Sequence, residues 1–133
     1  MSREFIPYEQ PFIPYEQALE FKELGFDYYN YAWYIIIDEK PMITYFNYSG
    51  NHERHLCAPL YRQAFEWFRE KYNLFSIIDV DQTMEPKFCY SLSRYKGDFQ
   101  WDNMLPTYSE LYYTYEEAEL ACLKKLIEIA KNK

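Results

Sequence analysis

The sequence PLYRQAFEWFREKYNLFSIIDVDQTMEPKFCYSLSRY, residues 59–95, decides the fold, because a helical pattern is followed at once by a strand pattern. Apolar residues recur every four positions in its first part, which predicts a helix over Pro59–Tyr72. Asn73 then supplies a residue that tolerates the left-handed conformation in which helices often end. The second part predicts two strands, Phe75–Val80 and Lys87–Tyr95. Their short connection favours antiparallel pairing.

A similar arrangement precedes this stretch. The spacing of apolar residues predicts a helix over Pro14–Leu24, and Gly25 suits its left-handed C-terminal cap. The segment YYNYAWYIII, residues 28–37, is rich in aromatic and β-branched residues and predicts a strand with two apolar faces. Met42–Tyr48 is its predicted hairpin partner, and residues 49–57 are predicted to form a polar loop.

The C-terminal part adds one more helix. Residues 96–107 contain several structure breakers and are expected to be irregular, whereas Leu111–Tyr113 is a candidate edge strand. Thr114 and Glu117 have the spacing of a capping box at the start of the last helix. The sequence therefore predicts an α+β fold in the order α-β-β-α-β-β-α. The expected architecture is a two-layer sandwich with one antiparallel sheet of four or five strands and three helices.

The N-terminus carries a direct repeat. FIPYEQ occurs at residues 5–10 and again at 12–17. Prolines that follow the first copy prevent a helix there, and only the second copy can open one. We expect residues 1–12 to form an extended arm and residues 13–133 to form a single domain. A tolerated duplication and a tandem docking motif remain alternative interpretations of the repeat.

Composition and charge narrow the functional class. The 133 residues have a net charge of −7, which argues against nucleic acid because phosphate binding needs a basic patch. The longest apolar run, Trp33–Ile37, is too short to cross a bilayer, and MSREFIPYEQ is not a secretory signal. Three cysteines give no disulfide framework. These features predict a cytoplasmic protein without a cofactor.

Three stretches resemble a family of small proteins from phages and mobile elements of gut anaerobes. They are FIPYEQALEFKELGF, APLYRQAFEWFREKY and TYEEAELACLKKLIEI. The strand and loop regions between them depart freely, and the extra FIPYEQ copy is a further departure. The family is uncharacterised, so the resemblance assigns no catalytic or binding residue. It implies an accessory cytoplasmic protein.

One cluster has the residue types of a reactive site. His52, His55 and Cys57 are weak candidates for a zinc site, in which only three ligands are evident, and the same residues could form a nucleophile and its base. A small metal-dependent or cysteine hydrolase at this loop is one alternative function. A second alternative is an acidic DNA-mimic inhibitor, which requires carboxylates in rows on one surface.

The aromatic content motivates the main hypothesis. The chain has 16 Tyr, 10 Phe and 3 Trp, which is 22% of its residues. Tyrosine and tryptophan in the first hairpin form either core or an exposed platform for a partner. The residues of that candidate interaction surface are Tyr28, Tyr31, Trp33, Tyr45 and Tyr48. We therefore expect a noncatalytic protein-interaction module, not an enzyme, which binds another protein or a second copy of itself.

Overall fold

The computed structural model describes residues 12–27, 32–44, 56–82, 85–103 and 109–132. Its helices are α1 (Tyr15–Leu24), α2 (Tyr61–Tyr72) and α3 (Tyr115–Lys131). Its strands are β1 (Trp33–Ile37), β2 (Lys40–Thr44), β3 (Leu56–Cys57), β4 (Leu74–Asp81), β5 (Lys87–Gly97) and β6 (Gln100–Asn103). Within these ranges, no helix has both the length and the apolar character that a membrane span requires. The chain divides into two compact units, residues 1–64 and 65–133.

The first unit holds α1 and a three-stranded antiparallel sheet. α1 ends at Gly25, whose φ of 90° lies in the left-handed region, and the Gly25 N–H donates to the carbonyl oxygen of Lys22. In the sheet, β1 lies between β2 and β3. A two-residue turn, Asp38-Glu39, joins β1 to β2.

Aromatic side chains fill the core of this unit. Tyr34 is buried, and its hydroxyl donates a hydrogen bond to the carbonyl oxygen of Ile13. The ring of Tyr15 meets the ring of Tyr34 edge-on, with the centroids 5.4 Å apart. The rings of Phe21 and Phe26 stack at 5.2 Å. The strand β1 therefore turns its tyrosine towards the interior of the unit.

The second unit holds a second three-stranded antiparallel sheet, in which β5 lies between β4 and β6. Asp98-Phe99 forms the two-residue turn between β5 and β6. Tyr112 pairs with Phe88 beyond the end of β6, so both edges of β5 have partners at that point. The strand β4 pairs with β5 alone among the described residues.

The helix α3 covers one face of this second sheet by packing on β4 and β5. Thr114 and Glu117 form the predicted capping box at its start. The ring of Tyr115 on α3 meets the ring of Phe88 on β5 edge-on at 5.9 Å. The buried residues of α3 are Ala118, Cys122, Leu123, Leu126, Ile127 and Ala130.

The predicted fold class is confirmed, but the predicted single sheet of four or five strands is wrong. The described strands form two separate sheets of three, because each predicted hairpin gains a short third strand. Residues 56–57, predicted as loop, form β3, and residues 100–103, predicted as irregular, form β6. The expected arm over residues 1–12 falls almost wholly outside the described residues.

Candidate interaction surface

The face of the second sheet that lies opposite α3 exposes large apolar side chains among the described residues. Side chains on neighbouring positions of a strand point to opposite faces, and the register of β4, β5 and β6 fixes which ones share a face. We call this surface the open face. Its members are Phe75, Ile77, Asp79, Asp81, Lys87, Cys89, Ser91, Ser93, Tyr95, Trp101 and Asn103. Ile77 is 62% exposed and Trp101 is 51% exposed.

Three aromatic rings form one end of the open face. The ring of Trp101 lies 5.2 Å from that of Phe75 and 4.9 Å from that of Tyr95. Trp101 therefore contacts one ring on β5 and one on β4, while half of its surface faces solvent. These rings are already held in place by one another. Little of their conformational entropy is therefore lost when a partner binds them.

The turn beside these rings carries an unusual residue. Phe99 has a φ of 61°, in the left-handed region that bulky residues rarely adopt. Its side chain is 94% exposed, so burial does not offset this strain. The Phe99 N–H donates to the Tyr95 hydroxyl oxygen at 3.2 Å, which connects the turn to the open face. Strained residues of this kind concentrate at functional sites.

The other end of the open face carries Asp79, Asp81 and Lys87, which is the register partner of Asp81. A cavity of about 440 Å³ is lined there by Asp79, Asp81, Gln82, Cys89 and Leu111. Burial, followed by the negative charges of the two aspartates, raises the pKa of the Cys89 thiol. This thiol therefore stays protonated at neutral pH, so the charge of this end comes from the two aspartates and Lys87, with one more negative than positive charge. Within the described residues, no group of histidine, cysteine and carboxylate side chains could hold a metal ion.

Two of the residues predicted to matter in the first unit lie side by side. Trp33 and Cys57 are register partners on β1 and β3, and both line a cavity of about 180 Å³. Most of the remaining wall comes from α1 and the residue Phe26 that follows it, and Leu56 and Pro59 complete it. Trp33 is half-buried, so it belongs as much to the packing of this unit as to its surface.

The structure describes only one residue of the predicted reactive cluster, Cys57. His52 and His55 lie outside the described residues. Burial raises the pKa of the Cys57 thiol to about 12. A nucleophilic cysteine needs a lowered thiol pKa, so Cys57 has the opposite of the required environment.

Of the predicted interaction surface, Trp33 alone can be placed. Tyr28, Tyr31, Tyr45 and Tyr48 lie outside the described residues. The residues that the sequence analysis missed are Ile77, Phe99 and Trp101. Trp101 lies in the stretch 96–107 that was predicted to be irregular, and no pattern in that stretch distinguishes an exposed sheet from a loop.

Comparisons with known proteins do not supply a function. No protein-family model, no curated protein and no solved structure matches the chain. The resemblance to a phage and mobile-element family stays a prediction.

Proposed function

We propose that the protein is a noncatalytic interaction module whose open face binds an extended, apolar and basic segment of another protein. Half-exposed Trp101, held between Phe75 and Tyr95, carries this proposal. Tryptophan and tyrosine are the residue types that most often anchor protein interfaces. A sheet face with a ring cluster at one end suits an extended segment that lies along the strands.

The negative charge of the chain favours a partner segment that is basic. The chain has a net charge of −7, and the aspartates of the open face, Asp79 and Asp81, lie at the end away from the rings. Lys87 lies opposite Asp81, with its Nζ over the Tyr113 ring, so the two aspartates still outnumber the cation at this end. A segment that places apolar side chains on Trp101 and Ile77 can place a lysine or arginine near these carboxylates. Opposite charges at the edge of an interface mainly raise the association rate and exclude acidic partners.

Replacement of Trp101 by alanine tests the proposal. The probes are short synthetic peptides with alternating apolar residues and a pair of lysines at one end, and binding is measured by fluorescence anisotropy. We expect Trp101→Ala to weaken binding by about tenfold or more, which corresponds to at least about 1.4 kcal/mol. An otherwise identical peptide with a pair of glutamates should bind more weakly than the lysine peptide, and this difference should shrink as salt is added.

Met42→Ala is the matched control, because Met42 is also 51% exposed but lies on the other sheet. It should leave the peptide affinity unchanged. Equal affinities of the two variants, or a preference for the glutamate peptide, would refute this function.

A further inference from the structure

The cavity of the first unit has room for one small molecule. Its volume of about 180 Å³ is larger than the roughly 150 Å³ in which an apolar protein interior can hold a benzene molecule. Well-packed interiors leave few spaces larger than a water molecule, so a space of this size is unusual in so small a unit. Its inner walls are buried side chains, which belong to Ala18, Phe21, Leu56 and Pro59.

The other described lining residues face solvent in part. Phe26, Trp33 and Cys57 are half-buried, and Lys22 is exposed. A small molecule can therefore enter from this side while the unit stays folded. The Cys57 thiol is neutral, because burial raises its pKa to about 12, and it adds no negative charge to the wall.

The walls favour a ring over a flexible chain. Three of the lining side chains are aromatic, and the rings of Phe21 and Phe26 stack at 5.2 Å. A flat ring can meet such side chains edge-on or in an offset stack. It also has few rotatable bonds, so it loses less entropy on binding than an alkyl chain of similar size.

One cation lies at the open side of the cavity. Among the described lining residues, Lys22 alone carries a charge, and it forms no ion pair with another described residue. The acidic residues next to it on α1, Glu20 and Glu23, lie two positions before it and one position after it. Residues at these spacings do not face each other on a helix, so the Lys22 ammonium stays available to an anion.

We propose that this cavity binds a small monocyclic carboxylate, with the ring against Phe21 and Trp33 and the carboxylate beside Lys22. Burial of the ring supplies most of the affinity, because an ion pair with an exposed lysine is weak. The described lining residues all belong to the first unit, whereas the open face belongs to the second. The cavity is therefore a second binding site that does not depend on the proposed interaction module.

The first test is isothermal titration calorimetry with benzoate, benzylamine and acetate at physiological ionic strength. We expect a dissociation constant of about 1 mM or below for benzoate, binding about threefold or more weaker for benzylamine, and none for acetate, which lacks the ring. The net charge of −7 would by itself favour benzylamine. A preference for benzoate therefore reports a local cation.

Replacement of Lys22 identifies that cation. Lys22→Gln should abolish the preference for benzoate over benzylamine. Lys124→Gln makes the same charge change at an exposed lysine of α3, and it should keep the preference. A Lys22→Gln variant that still prefers benzoate as strongly as the wild type would overturn the role of Lys22.

The second test locates the ligand. Incorporation of 5-fluorotryptophan places one fluorine on each of the three tryptophans, Trp33, Trp67 and Trp101, and tryptophan-to-phenylalanine variants assign the three resonances. Benzoate should shift the Trp33 resonance and leave the other two unchanged. A shift at Trp101 in place of Trp33 would mean that benzoate binds the open face, and it would overturn the cavity site.

The third test fills the cavity. Ala18 is 1% exposed and lines the cavity, so Ala18→Leu should remove the binding of both ring ligands. Circular dichroism checks that this variant is folded, and the fluorine spectra of the wild type decide the question if it is not. Unchanged benzoate binding by folded Ala18→Leu, or no benzoate binding by the wild type, would overturn the proposal. Neither result bears on peptide binding at Trp101, so the two sites can fail independently.

Discussion

The two hairpins turn through the same backbone geometry, yet they present opposite chemistry to solvent. Asp38-Glu39 and Asp98-Phe99 are both two-residue turns with positive φ, at 52° and 64° in the first and at 53° and 61° in the second. This is the pattern of the turn that best matches strand twist, and glycine is its preferred residue. The first turn ends in a charged residue and the second in an exposed phenylalanine. The backbone does not require that phenylalanine, so the difference points to contact with a partner.

The same contrast runs through the two sheets. In the first, Tyr34 of β1 is buried, and its ring meets Tyr15 of α1. In the second, α3 covers the face with Phe88, while Trp101 on the opposite face stays half exposed. Aromatic content by itself therefore does not separate core from surface. What separates them is which face of a sheet receives a helix.

The largest expected effect compares the two aromatic environments directly. Tyr34→Ala removes a buried ring and a hydrogen bond to Ile13, and it should lower the free energy of unfolding by about 3 kcal/mol. Trp101→Ala should lower it by less than about 1 kcal/mol, because half of the ring is already in water. Urea denaturation followed by far-UV circular dichroism measures both. Equal losses of unfolding free energy would mean that Trp101 is a core residue. The two aromatic environments would then not differ.

Local signals in the sequence account for the parts of the fold that were predicted correctly. Gly25 and Asn73 adopt the left-handed conformation at the expected helix ends, and Thr114 caps α3 as expected. Each of these signals depends on residues within one turn of helix. Helix ends can therefore be predicted without knowing the rest of the chain.

The division into two sheets depends on contacts that no local pattern encodes. β3 has two residues and β6 has four, which is too short for alternation to be recognised. Moreover, β3 pairs with the first strand of its hairpin, whereas β6 pairs with the second. The open face could not be predicted for the same reason, because its exposure depends on where α3 packs.

The next prediction concerns the covered face of the second sheet. Burial, and to a lesser extent the neighbouring Glu116, raises the pKa of Glu119 on α3 from 4.5 to about 7. The folded chain therefore holds this proton more tightly than the unfolded chain. The resulting stabilisation is complete below pH 4.5 and is lost as the pH rises through about 7.

Glu119→Gln should remove this pH dependence. At pH 8 we expect the variant to be more stable than the wild type by about 1 kcal/mol, after allowance for solvent screening of a half-exposed group. At pH 4 the two should agree. Glu128→Gln, an exposed carboxylate on the same helix, is the control and should keep the wild-type pH profile. Thermal melts across this pH range measure the stability of each variant. A wild-type dependence of stability on pH in Glu119→Gln would contradict the assignment of this dependence to Glu119.

The smallest expected effect on stability comes from glycine substitutions in the two turns, and these variants test directly whether the turns differ in function. A residue other than glycine costs about 1–2 kcal/mol in the left-handed region, and glycine costs about 0.5–1 kcal/mol in unfolded-state entropy. Phe99→Gly and Glu39→Gly should therefore each stabilise the chain by about 0.5–1 kcal/mol.

Binding should separate these two variants. Glu39→Gly should keep the affinity for the lysine peptide, whereas Phe99→Gly should lower it about threefold or more, since an exposed aromatic anchor is lost. Thermal melts and fluorescence anisotropy on the same samples give both quantities. A Phe99→Gly variant that gains stability and keeps full affinity would show that the phenylalanine is strain without function. The residue difference between the two turns would then have no role in binding.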